Sequence, residues 1–282
     1  MNRISLDFVD FWPGFNKRDN YFFNLLKDGW EIEISPNPHF VFYSVFGEEH
    51  KRYKCKKIFY TGENIAPIFK DTDPFGADWA FSFDYSQDPR NYRLPHYLLY
   101  PEYKALTKER RVDPSLLNRQ FCSFVVSNPG CRSRNEFFEK LSRYKKIHSG
   151  GRFLNNIGYL VPDKLKFLGD YKFNICFEND AHRGYNEHYT TEKLPQALAS
   201  QTIPIYFGNT QVEREFNPES FIDVGKFQNF SSAIEYIIEV DRNDELYLDI
   251  LGKSPLIDSK IPTPYQEDSV KEFLNKILQN EC

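Results

Sequence analysis

Short apolar runs alternate with amphipathic stretches along the chain, and the period of the pattern switches between 2 and about 3.6 residues. In the first half, residues 4–11, 30–34, 39–45, 56–60 and 78–83 predict strands. Residues 20–27 predict a helix that stops near Gly29. Residues 104–119 are polar, carry the run Lys108-Glu109-Arg110-Arg111, and read as a linker or mobile loop. In the second half, residues 121–126 and 171–177 form buried-type strands. Between them a helix begins near Ser133, with Phe137, Phe138, Leu141 and Tyr144 on one face. A polar loop covers residues 178–188. A helix from Thr191, a strand over 203–207 ending at Gly208, and helices over 231–240 and 269–278 complete the pattern. Strands interleaved with helices predict an α/β fold with parallel sheets, whose ligands sit beyond the carboxyl ends of the strands. The length suits two such half-sheets facing a cleft. The expected domains are 1–118 and 119–282, the last helix being counted with the second. The apolar face of that helix is expected to bury in a core rather than serve a partner.

Composition narrows the class. The 282 residues include 36 basic and 40 acidic side chains, a net charge of −4. That argues against a protein that grips nucleic acid through its phosphates, yet leaves room for a local basic patch around a small phosphorylated ligand. No uninterrupted apolar run approaches the roughly 18 residues of a membrane helix. Asp7 and Asp10 interrupt the first apolar stretch, so it does not read as a secretory signal. The five cysteines are odd in number and form no CxxC pair, which points to reduced thiols and a cytoplasmic setting. The six histidines show no zinc-ligand spacing. The 27 Phe and 18 Tyr serve a core, and any that face solvent suit stacking on sugars and nucleobases.

Four segments hold candidate chemistry. In Tyr60-Thr61-Gly62-Glu63-Asn64, a carboxylate follows a strand directly and so lies at the ligand edge of a sheet; the alternative is a helix or loop cap. The glycine allows a tight turn and close approach. In the segment from Ser127 to Asn135, a strand, a turn and a helix start bring backbone N–H groups together with Arg132 and Arg134. That combination binds phosphate, unless the arginines are merely solvated. Third, Phe177-Glu178-Asn179 leads into Tyr189-Thr190-Thr191-Glu192-Lys193. Thr190 or Thr191 can cap the following helix, and Glu192 suits its first turn. Lys193 opposes the helix dipole there, a misfit that an adjacent anionic ligand would relieve. The fourth, Gln201 to Gly208 followed by Glu215-Phe216-Asn217-Pro218, reads mostly as a buried strand and a turn. Asp71-Thr72-Asp73 has the DxD form of metal-dependent sugar transferases, but is assigned to loop solvation. His182 and His188 read as exposed loop residues.

Together these motifs resemble the family 10 glycosyltransferases, the α-1,3/4-fucosyltransferases. The order YTGEN, SNP-x-RN, FxxCFEN, YxTEK, TIPIYFG, EFNPxSFI spans about residues 58–227. The compact bacterial members are the most similar, without the N-terminal anchor of animal Golgi members or the C-terminal heptad repeats of some bacterial ones. The resemblance implies a GT-B fold of two Rossmann-like domains, with the donor in the C-terminal one. It implies GDP-fucose as donor, inversion at the anomeric carbon, no obligatory metal, and an oligosaccharide or surface-glycan precursor as acceptor. Glu63 matches the general base of the family. Arg134 matches the arginine implied to contact the diphosphate. Asn179, Tyr189, Glu192 and Lys193 match donor-site positions, with Lys193 pairing with phosphate and Glu192 facing the fucose. Asn64 and His188 are candidate acceptor-side or loop contacts. Several positions depart from the family pattern. The loop 180–188 is longer, His188 stands where glycine is frequent, Thr190 replaces an apolar residue, and Pro195 enters the helix after TEK. A related GDP-deoxysugar is the alternative donor, and a non-catalytic nucleotide- or glycan-binding relative the alternative class. The expected location is the cytoplasm, with peripheral association at the inner membrane as an option.

Overall fold

The computed structural model describes residues 2–65, 69, 76–179 and 187–279. The chain divides into two compact units, Met1–Leu99 with Pro262–Cys282, and Tyr100–Ile261. Each is built on a parallel sheet.

In the first unit the strands are β1 (Asn2–Val9), β2 (Trp30–Ile34), β3 (Phe40–Tyr43), β4 (Lys56–Tyr60), β5 (Trp79–Ser82) and β6 (Asn91–Arg93). They lie in the order β2-β1-β3-β4-β5-β6, and every pairing is parallel. Parallel strands are covered on both faces, which is why β3 is buried at every position. β1 ends two residues earlier than the apolar run suggests, because Asp10 turns into the left-handed region with φ of 59°. Helix α1 (Tyr21–Leu26) opens on Asn20, whose side chain accepts from the Phe23 N–H.

The second unit contains β7 (Gln120–Phe124), β8 (Ile147–Ser149), β9 (Tyr171–Phe177), β10 (Ile203–Phe207) and β11 (Ile222–Asp223), ordered β11-β10-β9-β7-β8 and again parallel. Its helices are α2 (Pro101–Ala105), α3 (Arg132–Leu141), α4 (Lys164–Gly169), α5 (Lys193–Ala199), α6 (Phe230–Arg242) and α7 (Asp244–Gly252). The central strand β9 is buried along its whole length. Around it pack Phe124, Phe137, Ile205, Ile237 and Tyr247. In this strand–helix–strand order, α4 and α5 both have their N-termini at the carboxyl edge of the sheet.

Two expectations about organisation change. The last helix, α8 (Glu267–Gln279), belongs to the first unit, not the second. It buries Val270, Leu274, Ile277 and Leu278. Phe273 meets Phe81 edge-on at 5.5 Å, and Trp30 Nε1 donates to Asn275 Oδ1 at 2.8 Å. Periodicity shows that a face must be buried but not against which sheet. The stretch 104–119 is also no free linker. Arg110 donates to the Leu198 carbonyl at 2.7 Å and the Leu251 carbonyl at 2.9 Å, covering the C-terminal ends of α5 and α7. Burial lowers its guanidinium pKa to about 10. The unit boundary accordingly falls near residue 100 rather than 118. Among the described residues, no helix is long and apolar enough to cross a membrane.

Candidate active site

At the carboxyl edge of the second sheet, β9 runs out into Glu178, a carboxylate with no solvent exposure. A buried charge needs a full set of partners. Its Oε1 accepts from the Thr191 N–H at 2.8 Å, and its Oε2 accepts from the Thr191 hydroxyl at 2.7 Å and from Lys193 Nζ at 3.0 Å. Lys193 Nζ also donates to Thr191 Oγ1 at 2.9 Å. Burial alone would lower the pKa of Lys193. The Glu178 and Glu192 carboxylates outweigh that and hold it above the ordinary lysine value. The misfit of a cation opening α5 is therefore answered within the protein, by Glu178 across the strand end. Glu192, directly before α5, lies 4.0 Å from Lys164 at the start of α4.

The arginines of the Ser127–Asn135 segment divide. Arg132 is exposed and solvated, whereas Arg134, two residues into α3, is wholly buried. Its guanidinium donates to Asn179 Oδ1 at 2.6 Å and to the Asn128 carbonyl. Arg134 also contributes to the field at Lys193. The start of α3 has no side-chain cap. Tyr189 is buried. Thr190 accepts from Asn209 Nδ2 at 3.0 Å, and the backbone of Glu187 accepts from the Thr210 N–H at 3.1 Å, so this segment is tied to the end of β10. His188 is half-buried, with Nε2 3.1 Å from Gln211 Nε2. Gly208 is required here, since a Cβ would lie 2.6 Å from Glu178 Cγ and 2.8 Å from the Tyr206 hydroxyl.

In the first unit, Glu63 follows β4 and is exposed. Its N–H donates to the buried Thr61 hydroxyl at 2.9 Å, which fixes the turn. A Cβ on Gly62 would collide with the His96 ring. The close approach permitted by this glycine is thus to a histidine, which is itself 3.1 Å from the Tyr60 hydroxyl. Asn64, beside Glu63, is half-buried. Two strands away, the buried Asp10 carboxylate accepts from His50 Nδ1 at 2.6 Å and from the Glu49 and His50 N–H groups at 2.9 Å. The Phe46 N–H donates to the Asp10 carbonyl at 3.0 Å. Trp12 and Phe46, on the two joined loops, are exposed.

Comparison with known proteins follows the same division of the chain. The domain described as Alpha-(1,3)-fucosyltransferase FucT N-terminal domain matches residues 6–100, and Glycosyltransferase family 10 (fucosyltransferase) C-term matches residues 117–251. The Helicobacter pylori Alpha-(1,3)-fucosyltransferase FucT is 34% identical over 310 residues, covering 94% of this chain and 63% of that one. The chain belongs to glycosyltransferase family 10. A crystal structure of an alpha1,3-fucosyltransferase superposes with a TM-score of 0.83 at 28% identity, covering 100% of this family 10 chain and 91% of the other. One solved with GDP-fucose gives a TM-score of 0.82 at the same identity, covering 100% and 92%. The GT-B-type fold class, two Rossmann-like parallel-sheet units, follows from the likeness and the topology together. This family 10 chain spans 63% of the length of its H. pylori relative.

Within the second unit, the fold brings together Arg134, Asn179, Glu192 and Lys193, which are far apart in sequence, and Tyr189 is buried. Glu63 and Asn64 stand in the other unit. Asp71, Asp73, His182 and most of the loop 180–188 lie outside the described residues. Among the described residues, no group of three or more His, Cys, Asp or Glu could hold a metal ion. Sequence reasoning carried Asn179 forward and passed over Glu178. The signal was an acid closing an uninterrupted apolar strand. It also passed over Lys164, Asp10, His50 and His96, none of which has a local pattern that separates it from a surface residue.

Proposed function

We propose that the chain is an inverting α-1,3-fucosyltransferase that moves fucose from GDP-fucose to a GlcNAc-type hydroxyl of an oligosaccharide or surface-glycan precursor. The observation that carries the reading is the buried cationic edge of the second unit. Arg134 is held by Asn179, and Lys193 by Glu178 and Thr191, where a parallel sheet ends beside the uncapped start of α3. An ammonium has three N–H donors, and Glu178 and Thr191 take two. Oriented cations and helix dipoles of this kind stabilise a departing diphosphate. Relatives solved with GDP-fucose and with GDP support the choice of nucleotide sugar.

In this reading the acceptor oxygen attacks the anomeric carbon while Glu63 takes its proton. The bond from that carbon to the diphosphate oxygen breaks, and the electron pair leaves with GDP. Attack opposite the leaving group inverts the centre. The sugar passes through an oxocarbenium-like state, as in glycoside hydrolysis, and Glu192 faces that developing charge. The exposed Trp12 and Phe46, at the same sheet edge as Glu63, offer aromatic faces for acceptor sugars. Charge neutralisation comes from Arg134 and Lys193, so turnover is expected to survive chelation by EDTA.

The test is turnover of GDP-fucose by the purified protein with an N-acetyllactosamine acceptor, for the wild type and Glu63→Gln. GDP release that depends on acceptor, and its loss in Glu63→Gln with GDP binding retained, is the expected result. Retained turnover in Glu63→Gln removes Glu63 as base. Turnover of a different GDP-deoxysugar in preference to GDP-fucose removes the donor assignment.

A further inference from the structure

The helices α4 and α5 share an unusual feature. Each opens with a lysine, Lys164 and Lys193, at the position where the positive end of a helix dipole disfavours a cation. Both helices begin at the carboxyl edge of the same parallel sheet. For Lys193 the compensation is Glu178, 3.0 Å away. For Lys164 it is Glu192, 4.0 Å away. The two pairs interlock, since Lys193 feels both carboxylates and Lys164 feels Glu192, Glu178 and Lys193. Asp163 caps α4 by accepting from the Lys166 N–H at 3.1 Å, and the charges that act on Lys164 are Glu192, Lys193, Cys176 and Glu178.

We propose that Lys164 is a positioning residue of the transfer reaction, whose ammonium holds the Glu192 carboxylate in place toward the donor sugar. The proposal rests on the reading of Glu192 given under Proposed function. Lys193 also feels Glu192, but its ammonium donates to Glu178 and Thr191, whereas Lys164 lies 4.0 Å from the Glu192 carboxylate. A carboxylate beside a developing oxocarbenium is effective only if its orientation and charge are set before the reaction. The environment of Lys164 adds a signature. Burial lowers its pKa below the ordinary lysine value, with Lys193 acting in the same direction and Glu192, Cys176 and Glu178 opposing. As pH rises through that lowered value the ammonium is lost and the Lys164–Glu192 ion pair with it, so activity falls on the alkaline side. An arginine in its place stays charged.

The experiment measures kcat, acceptor KM and the pH profile for wild type, Lys164→Arg, Lys164→Met, Glu192→Gln and the double variant Lys164→Met with Glu192→Gln. Expected are a loss of about tenfold in kcat for Lys164→Met with acceptor KM unchanged, and a double variant no worse than Glu192→Gln alone. Lys164→Arg retains turnover and its alkaline fall moves to higher pH. Losses that multiply in the double variant overturn the proposal, as does a wild-type kcat in Lys164→Met. If Lys164→Met does not fold, an alkaline fall in Lys164→Arg at the wild-type position overturns it instead. A wild type that turns over no GDP-fucose overturns the functional reading and this proposal together, whereas turnover with multiplied losses overturns the proposal alone.

Discussion

Replacing Glu178 by glutamine tests whether an internal ion pair organises the carboxyl edge of the second sheet. The carboxylate has no exposure and three donors, and its partner Lys193 retains only 17% side-chain exposure. Removing one member of a buried pair costs about 3–5 kcal/mol when the other is left uncompensated. Lys193 keeps the Thr191 hydroxyl, and glutamine can still accept from the Thr191 N–H, so the expected loss is nearer 2–3 kcal/mol. At about 2–4 °C per kcal/mol, this lowers the melting temperature by about 5–10 °C. Lys193→Met leaves Glu178 charged and buried with only the two Thr191 bonds, and is expected to cost about as much. The double variant should lose less than the sum, by about 1–3 kcal/mol, since neither orphan remains. Urea unfolding of the four proteins at one pH measures the cycle, and GDP affinity is read in parallel. Additive losses, or Glu178→Gln at wild-type stability, would refute the argument that this pair is what tolerates a lysine at the start of α5.

Three further outcomes follow from the packing. Gly62→Ala must displace the His96 ring and is expected to cost about 1–3 kcal/mol. Unchanged urea stability would show that the ring has room to move. Arg110→Met uncovers the carbonyls at the ends of α5 and α7 and is expected to lower stability by about 1–3 kcal/mol; an unchanged unfolding midpoint would restore 104–119 to the status of a free linker. Asp241 accepts from Tyr144 at 2.8 Å and pairs with Lys145 and Lys172. Burial raises its pKa, but the hydrogen bonds from Lys145 and Tyr144 and the two ammonium groups outweigh that and leave it below the usual carboxylate value. Its contribution is thus present above about pH 4 and lost as pH falls through the lowered value. Asp241→Asn should flatten the acid side of the stability profile, and an unaltered acid limb would count against the assignment.

Much of the candidate site could be proposed from the sequence because its residues sit where chain direction changes. Glu63 follows a strand, Arg134 starts a helix, and Glu192 and Lys193 open another. In parallel α/β folds those are the positions that meet a ligand. What the local pattern could not separate was Arg132 from Arg134. Both lie in the first turn of α3, yet one is solvated and the other wholly enclosed. The difference arises from Asn128 and Asn179, which receive the inner guanidinium from a turn and from the end of β9.

Periodicity, punctuation and motif order were enough to predict an α/β chain of two parallel half-sheets, because strands and helices leave their own repeat in the sequence. Partnership was a matter for packing. The amphipathic α8 has an apolar stripe that would satisfy any complementary surface, and only the contacts of Phe273 and Asn275 assign it to the first sheet. Glu178 reads locally as an ordinary polar residue at a strand end. Its full burial, and so its role as counterion to Lys193, exists only once a strand and a helix separated by a long loop are brought within 3.0 Å. Local free energy depends on neighbours in sequence, whereas the tolerance for a buried charge depends on neighbours in space.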